Sequence, residues 1–350
     1  MDRREFLGAM AAAPLAMRSQ PAEPLRRTFE IITRVDLDGA RGRTIAWIPL
    51  PLGRWHRAPY QDSSSHSTGG NTSQSRLENV QGALVRVAEW AAPEATPWFS
   101  VTYTVTTTNH RVALDDRKPV AQPANLSDYL KPTRLIPTDG IVRETALAIT
   151  RPHGTQLARA RAIYDWIVEH TVRDPEVKGC GLGDIRWMLE TRNLSGKCAD
   201  LNALFVGLAR AAGLPARDLY GLRVAPSQQF PSLGRTAPDV TTAQHCRAEV
   251  WVTNIGWIPV DPADVRKLIL EERPGTSPLD DPYVAKVRNT LFGSWEMNWI
   301  AYNDAHDVVL PGATGAPLPF LMYPQAEVAG VRRDSLDPQR FRYTITAREV

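Results

Sequence analysis

The sequence predicts an α+β protein, with a small antiparallel β-sandwich-type unit ahead of a unit in which one buried helix packs on an antiparallel sheet. Three observations lead there. Apolar and polar residues alternate in segments between Phe29 and Val105, the period of half-buried strands. Apolar residues then fall at Leu201, Leu204, Phe205, Leu208, Ala209 and Ala212, in steps of three and four that make one helical stripe. Alternation returns over residues 245–253, and Thr253-Asn254-Ile255-Gly256-Trp257 reads as a hairpin turn.

The elements follow in order. Met1-Asp2-Arg3-Arg4-Glu5-Phe6-Leu7-Gly8, with the apolar run from Ala9 to Met17, resembles a twin-arginine export signal. It is expected over residues 1–20, is too short to span a bilayer, and implies a periplasmic or secreted protein. Phe29, Ile31, Thr33, Val35 and Leu37 predict the first strand, residues 39–42 a turn, and Ile45 to Leu50 the second strand. Leu84 to Trp90 and the alternation Phe99, Val101, Tyr103, Val105 predict two more. The polar run from Gln61 to Asn71 has nothing to bury and reads as a mobile loop. Residues 25–112 therefore form the expected N-terminal β domain. Residues 113–140, with several prolines and little periodicity, suit a connecting segment.

Residues 141–350 form the expected catalytic domain. Leu157, Ile163, Tyr164, Ile167 and Val168 outline a helix from Thr155 to His170. The helix after Gly196 stops at Gly213, a left-handed cap, and Pro215. Residues 318–323 and the alternation Phe341, Tyr343, Ile345 predict closing strands.

Composition bounds the function. The chain has 350 residues, 43% hydrophobic and 23% charged, the balance of a soluble globular protein with sizeable cores. The net charge is +3, and no basic stripe stands out along the sequence, which argues against nucleic acid as partner. No run of 18 apolar residues predicts stable membrane insertion. No phosphate-binding glycine loop and no acidic calcium loop occurs, so neither cofactor nor metal is expected.

The chemistry centres on Cys198, at the first turn of the 201–212 helix. Partial positive charge and unpaired N–H groups at a helix N-terminus stabilise a thiolate. A lone cysteine is more often a small buried hydrophobe; its surroundings change that reading. Gly196-Lys197-Cys198, the apolar helix and Gly213-Leu214-Pro215-Ala216-Arg217 resemble the transglutaminase-like superfamily. His245-Cys246-Arg247-Ala248-Glu249-Val250-Trp251 and Gly256-Trp257-Ile258-Pro259-Val260-Asp261-Pro262 continue that resemblance. It covers about residues 155–265 and implies a papain-like, transglutaminase-like core. It implies Cys198 as nucleophile, His245 as base and then acid, and Asp261 as the carboxylate that orients the imidazole.

A simple three-residue loop pairs Thr253 with Trp257, which sets Glu249 opposite Asp261 and His245 opposite Val265. A bulge or bend near Gly256 is then needed to bring Asp261 to His245. Asp264 is the alternative partner. Trp187 and Asn193 are candidate oxyanion donors beside the backbone N–H of Cys198, although core packing also explains Trp187. Glu249 is a secondary site candidate and, more simply, a member of a structural salt bridge; Arg217 is expected to pair with a carboxylate. His153, His170 and His306 read as surface or packing residues.

Cys180 and Cys246 remain as a candidate disulfide pair, which an exported protein permits. A zinc site of Cys180, Cys198, Cys246 and His245 ranks low, since no zinc-type spacing occurs. The resemblance implies thiol-dependent acyl transfer on amides of peptide or protein substrates, by hydrolysis or by transamidation. The alternative is a non-catalytic binding or assembly module on the same fold. The oligomeric state is open.

Overall fold

The computed structural model describes residues 25–350 apart from 54–60, 70, 78–81, 94–95, 116–118, 237 and 276–279. The segment read as an export signal lies outside the described residues. Among the described residues no helix is long and apolar enough to cross a membrane.

The architecture is α+β. Its N-terminal half supplies strands β1 (Arg26–Asp36), β2 (Thr44–Leu50), β3 (Gln61–Ser67), β4 (Asn71–Leu77), β5 (Ala83–Trp90) and β6 (Trp98–Thr108). β1 pairs with β6 and β6 with β3; separately, β2 pairs with β5 and β5 with β4, all antiparallel. The alternating residues of β1 and β6 bury Phe29, Ile31, Phe99, Val101 and Tyr103 against Ile48, Leu50 and Leu84 of the second sheet. The polar run from Gln61 is not a loop. It forms β3 and the start of β4, each with a single strand neighbour. Edge strands are held by ladder hydrogen bonds, which need no apolar face, so hydrophobic periodicity does not reveal them.

The second half is built round four helices and a four-stranded sheet. Helices α1 (Gly140–Thr150), α2 (Gln156–His170) and α3 (Ile185–Thr191) surround α4 (Cys198–Ala211). Strands β7 (Ala216–Arg223), β8 (Gln244–Val252), β9 (Gly256–Val260) and β10 (Trp299–Asn303) pair in the order β9-β8-β7-β10. Helices α5 (Pro262–Glu272) and α6 (Pro282–Thr290) follow β9. α4 does not bury one stripe only: residues 198–210 are all buried, Asn202, Gly207 and Arg210 included. Its polar residues are inside because each has a partner there; Arg210, for example, donates to the Ala216 and Lys131 carbonyls. Gly213 takes φ +78°, and Leu214 N–H reaches back to the Ala209 carbonyl, a glycine-capped stop.

The two halves interlock through the end of the chain. β11 (Gln325–Val328) pairs with β2, and β12 (Arg342–Glu349) pairs with β1 along eight residues. The completed sheets read β12-β1-β6-β3 and, with Val331–Arg332 at its edge, β11-β2-β5-β4. A division at residue 141 therefore does not follow the sheets, since residues 325–349 belong with the N-terminal strands. Ile345 and Phe341, both 1% exposed, fill the sandwich core together with Leu222 of β7 and Tyr302 of β10. The sandwich thus braces the back of the catalytic-type sheet.

Residues 25–112 expressed alone lack β11 and β12, and we expect no cooperative urea transition by circular dichroism. A two-state transition in that fragment would show that the sandwich stands without its C-terminal strands. In the whole chain, Ile345→Ala is expected to lower unfolding free energy by about 2–5 kcal/mol.

Candidate active site

The entry into α4 is fixed by one carboxylate. Asp200, at the third helical position, accepts from Lys197 N–H at 2.9 Å, Gly183 N–H at 2.9 Å and Leu182 N–H at 3.0 Å. Gly196 is needed less for its backbone freedom than for space, because a Cβ there would lie 2.6 Å from the Asp200 side chain. This clamp presents Cys198 as the first residue of α4, at the wall of a cleft of about 410 Å³. His245, the second residue of β8, lines the same cleft.

The hairpin register brings Asp261 toward His245 without a bulge. Val252, not Thr253, opens the loop and pairs with Gly256, and Glu249 sits opposite Pro259. The pairing is displaced by two residues from the simple loop expected. Asn254 at φ +67° and Gly256 at φ +97° make the turn. β9 ends at Val260, and Asp261 caps α5, its Oδ1 accepting from Asp264 N–H at 3.0 Å. The other oxygen, Oδ2, is 2.7 Å from His245 Nε2. Asp264, on the first turn of α5, stands 3.4 Å from the same nitrogen. Both carboxylates therefore face His245.

Two arginines that the sequence reading did not single out complete this layer. Arg223 pairs with Asp264 at 2.5 Å, and Arg247 lies 3.5 Å from Asp261. Arg223 lies at the end of β7 and Arg247 two residues after His245 on the same face of β8, a parity that sequence alternation could have indicated. Asn202, one turn into α4, donates to the Cys246 carbonyl at 2.9 Å and to Asp261 Oδ1 at 3.4 Å, which ties α4 to the carboxylate.

These surroundings shift the ionisation of each group. Burial and Arg223 disfavour the charged His245, but Asp264, Asp261 and the Asp261 hydrogen bond outweigh them and raise it to about 9. Burial pushes the Asp261 carboxyl up, and Asp264 adds to this. Burial also opposes the charged Asp264, yet Arg223 and His245 hold it well below the carboxylate range. The Cys198 thiol is pulled well below its ordinary value, first by hydrogen bonds from Cys180 and Cys246, against burial, and then by His245. Ala199 N–H donates to the Cys180 carbonyl at 2.9 Å, which holds Cys180 beside the first turn of α4.

The remaining candidates lie as follows. Trp187 is 51% exposed on α3 and does not line the cleft, so its indole is not placed to serve Cys198. Asn193 is exposed, and its side-chain oxygen accepts from Ser195 in a local turn instead. Glu249 forms a buried pair with Arg217 at 2.5 Å, four residues beyond His245 on the same face of β8, and does not line the cleft. All three cysteines are free, so Cys180 and Cys246 are not bridged. Gln244, which precedes His245, lines the cleft with its buried Nε2 lacking a hydrogen-bond partner.

His245, Asp261 and Asp264 bring ligand-type atoms within 4.8 Å of one another. Their fit to a metal is poor, because Arg223 and Arg247 already supply positive charge to both carboxylates and would repel a cation. No cysteine belongs to that group.

Residues 143–262 match the model of the transglutaminase-like superfamily core. An uncharacterized protein of Haemophilus influenzae is 35% identical over 331 residues, covering 89% of this chain and 88% of the relative. The chain belongs to the transglutaminase-like superfamily. Solved structures similar to this superfamily member include a candidate cysteine protease of Cytophaga hutchinsonii, 12% identical, with 93% of this chain and 98% of that chain covered and a TM-score of 0.49. The periplasmic domain of TgpA from Pseudomonas aeruginosa is 15% identical, with 69% and 95% covered and a TM-score of 0.33.

The raised His245 value fixes the sign of a pH effect. The folded state favours the imidazolium, so its contribution is full below about 6.5 and is lost as pH rises through about 9. The urea midpoint should fall more steeply over that window in the parent protein than in His245→Gln; parallel curves would contradict the assignment. Gly196→Ala should cost about 1–3 kcal/mol through the clash with Asp200, read as a lower urea midpoint.

Proposed function

We propose that this protein is an exported thiol enzyme that cleaves amide bonds of peptide or protein substrates, with Cys198, His245 and Asp261 as its triad. The observation that carries this reading is the shared cleft: a thiol at the first position of a buried helix faces a histidine whose far nitrogen is held by Asp261 at 2.7 Å. Asp261 occupies Nε2, which leaves Nδ1 to exchange a proton with the thiol. The depressed Cys198 and raised His245 favour a thiolate–imidazolium pair at neutral pH.

The thiolate attacks the substrate carbonyl carbon, and the carbonyl π pair moves to oxygen. The Cys198 backbone N–H at the α4 N-terminus supports that oxyanion, with the unpartnered Gln244 Nε2 as second donor. The tetrahedral intermediate collapses, the C–N bond breaks, and His245 gives its proton to the leaving amine. Water then attacks the thioester with His245 as base, releasing the acid and restoring the thiol. An amine in place of water would give transamidation. Hydrolysis is preferred here because the arginine-rich N-terminus reads as an export signal and the cleft opens to solvent. Periplasmic or secreted placement belongs to the same reading.

A fluorogenic peptide series should report turnover that Cys198→Ala abolishes. kcat/KM should rise with thiolate formation below pH 9 and fall as His245 deprotonates near 9. Gln244→Ala should lower kcat roughly 10²–10³-fold. Product analysis with an added primary amine decides the acceptor: free acid as main product supports hydrolysis, and dominant amide exchange assigns transamidation. Absence of turnover across a broad peptide library would favour a non-catalytic module.

A further inference from the structure

The cleft that holds Cys198 and His245 is strongly basic, although the chain as a whole is nearly balanced, with 41 Lys and Arg against 38 Asp and Glu. Arg173, Lys178, Lys197, Arg223, Arg235 and Lys267 line it, and no carboxylate does so among the described residues. Three of the six are occupied. Arg223 is paired with Asp264, Lys178 with Asp334 at 2.7 Å, and Lys267 with Glu271 at 3.4 Å while also donating to the Ser232 carbonyl. Arg173, Lys197 and Arg235 have no ion pair among the described residues. Asp239 is near Arg235 without closing a pair, and Arg235 Nε donates to its backbone carbonyl at 3.3 Å.

The placement of these three matters more than their number. Lys197 immediately precedes Cys198. Arg173 lies in the strand that runs beside Ser195–Gly196, with Arg173 opposite Gly196. Both therefore stand on the bank that leads into α4. Arg235 stands on the segment before β8, the bank that leads to His245. A substrate amide at Cys198 would meet free cations on both sides. Each is half-buried, so part of its hydration is already lost, and a pairing anion meets a lower dielectric than at an open surface.

We propose that the cleft selects acidic peptides, with carboxylate side chains flanking the amide presented to Cys198. This rests on the amide-cleaving reading above. It makes the substrate class a consequence of charge complementarity, with steering that weakens as salt screens the cations.

The test compares alkylation of Cys198 by iodoacetate, which is anionic, with iodoacetamide, which is neutral, in the full-length protein. The ratio of the two rate constants should exceed that of free cysteine. It should fall about tenfold in Arg173→Gln/Lys197→Gln/Arg235→Gln and fall also at high salt. Each single variant should lower the ratio in part, which keeps the test open if the triple variant does not fold. A ratio equal to that of free cysteine and unmoved by the variants overturns the charge assignment. Slow iodoacetamide labelling with an ordinary thiol pH dependence instead overturns the catalytic reading of Cys198, and the ratio still decides the charge assignment. Acetylated tetraglutamate should protect Cys198 at lower concentration than acetylated tetraglutamine; equal protection overturns the peptide assignment. Protection by a short DNA strand as strong as by tetraglutamate would assign the cleft to polyanions at large and overturn it too.

Discussion

Burying two carboxylates beside one imidazole is the constraint around which the second half of the chain is arranged. Asp261 and Asp264 have no solvent exposure, and an unpaired charge at such depth would cost several kcal/mol. His245, Arg223 and Arg247 answer that cost, each from a strand of the central sheet. With Cys198 as thiolate, three negative groups meet three positive ones. That group is then close to neutral, which offsets the cost of burying its charges. That balance also explains the opposed shifts of His245 and Asp264: Asp264 and Asp261 hold His245 in its charged form against Arg223, while Arg223 and His245 hold Asp264 in its own.

Helix α4 is fitted into this arrangement by polar contacts inside an apolar core. Asp200 gathers three backbone N–H groups at the helix entry, and Asn202 ties the first turn to β8 and to Asp261. A shift of the helix along its axis would break these bonds together, so Cys198 has one position relative to His245. Cys180 and Cys246 are free and buried beside the same helix entry, Cys180 Sγ donating to the Gln244 carbonyl at 3.3 Å and Cys246 Sγ to Met322 Sδ at 3.9 Å.

The sandwich contributes rigidity rather than chemistry. Leu222 and Tyr302 pass from the central sheet into its core, and β11 and β12 return the chain's end to β2 and β1. The same end supplies Tyr323, Leu336 and Phe341 to the cleft wall. The segment that completes the sandwich therefore also walls the cleft.

The sequence alone determined the elements whose signal is local. The strand periods of β1, β2, β5 and β6, the 3.6-residue stripe and glycine stop of α4, and the helix before His170 follow from burial patterns that a short window contains. The order of Cys198, His245 and Asp261, read against a family pattern, singled out two residues that line one cleft and a carboxylate 2.7 Å from the histidine. Tertiary structure decided what depends on partners distant in sequence. Polar β3 and β4 exist because neighbouring strands supply their hydrogen bonds. The hairpin register was set by the φ-positive Asn254 and Gly256 and by Asp261 turning into α5, details that alternation does not encode. Arg223 and Arg247 become site residues only when folding sets them on Asp264 and Asp261. The basic cleft gathers cations from residue 173 to residue 267 that form no run along the chain. Charge patterning in one dimension cannot report a field assembled in three.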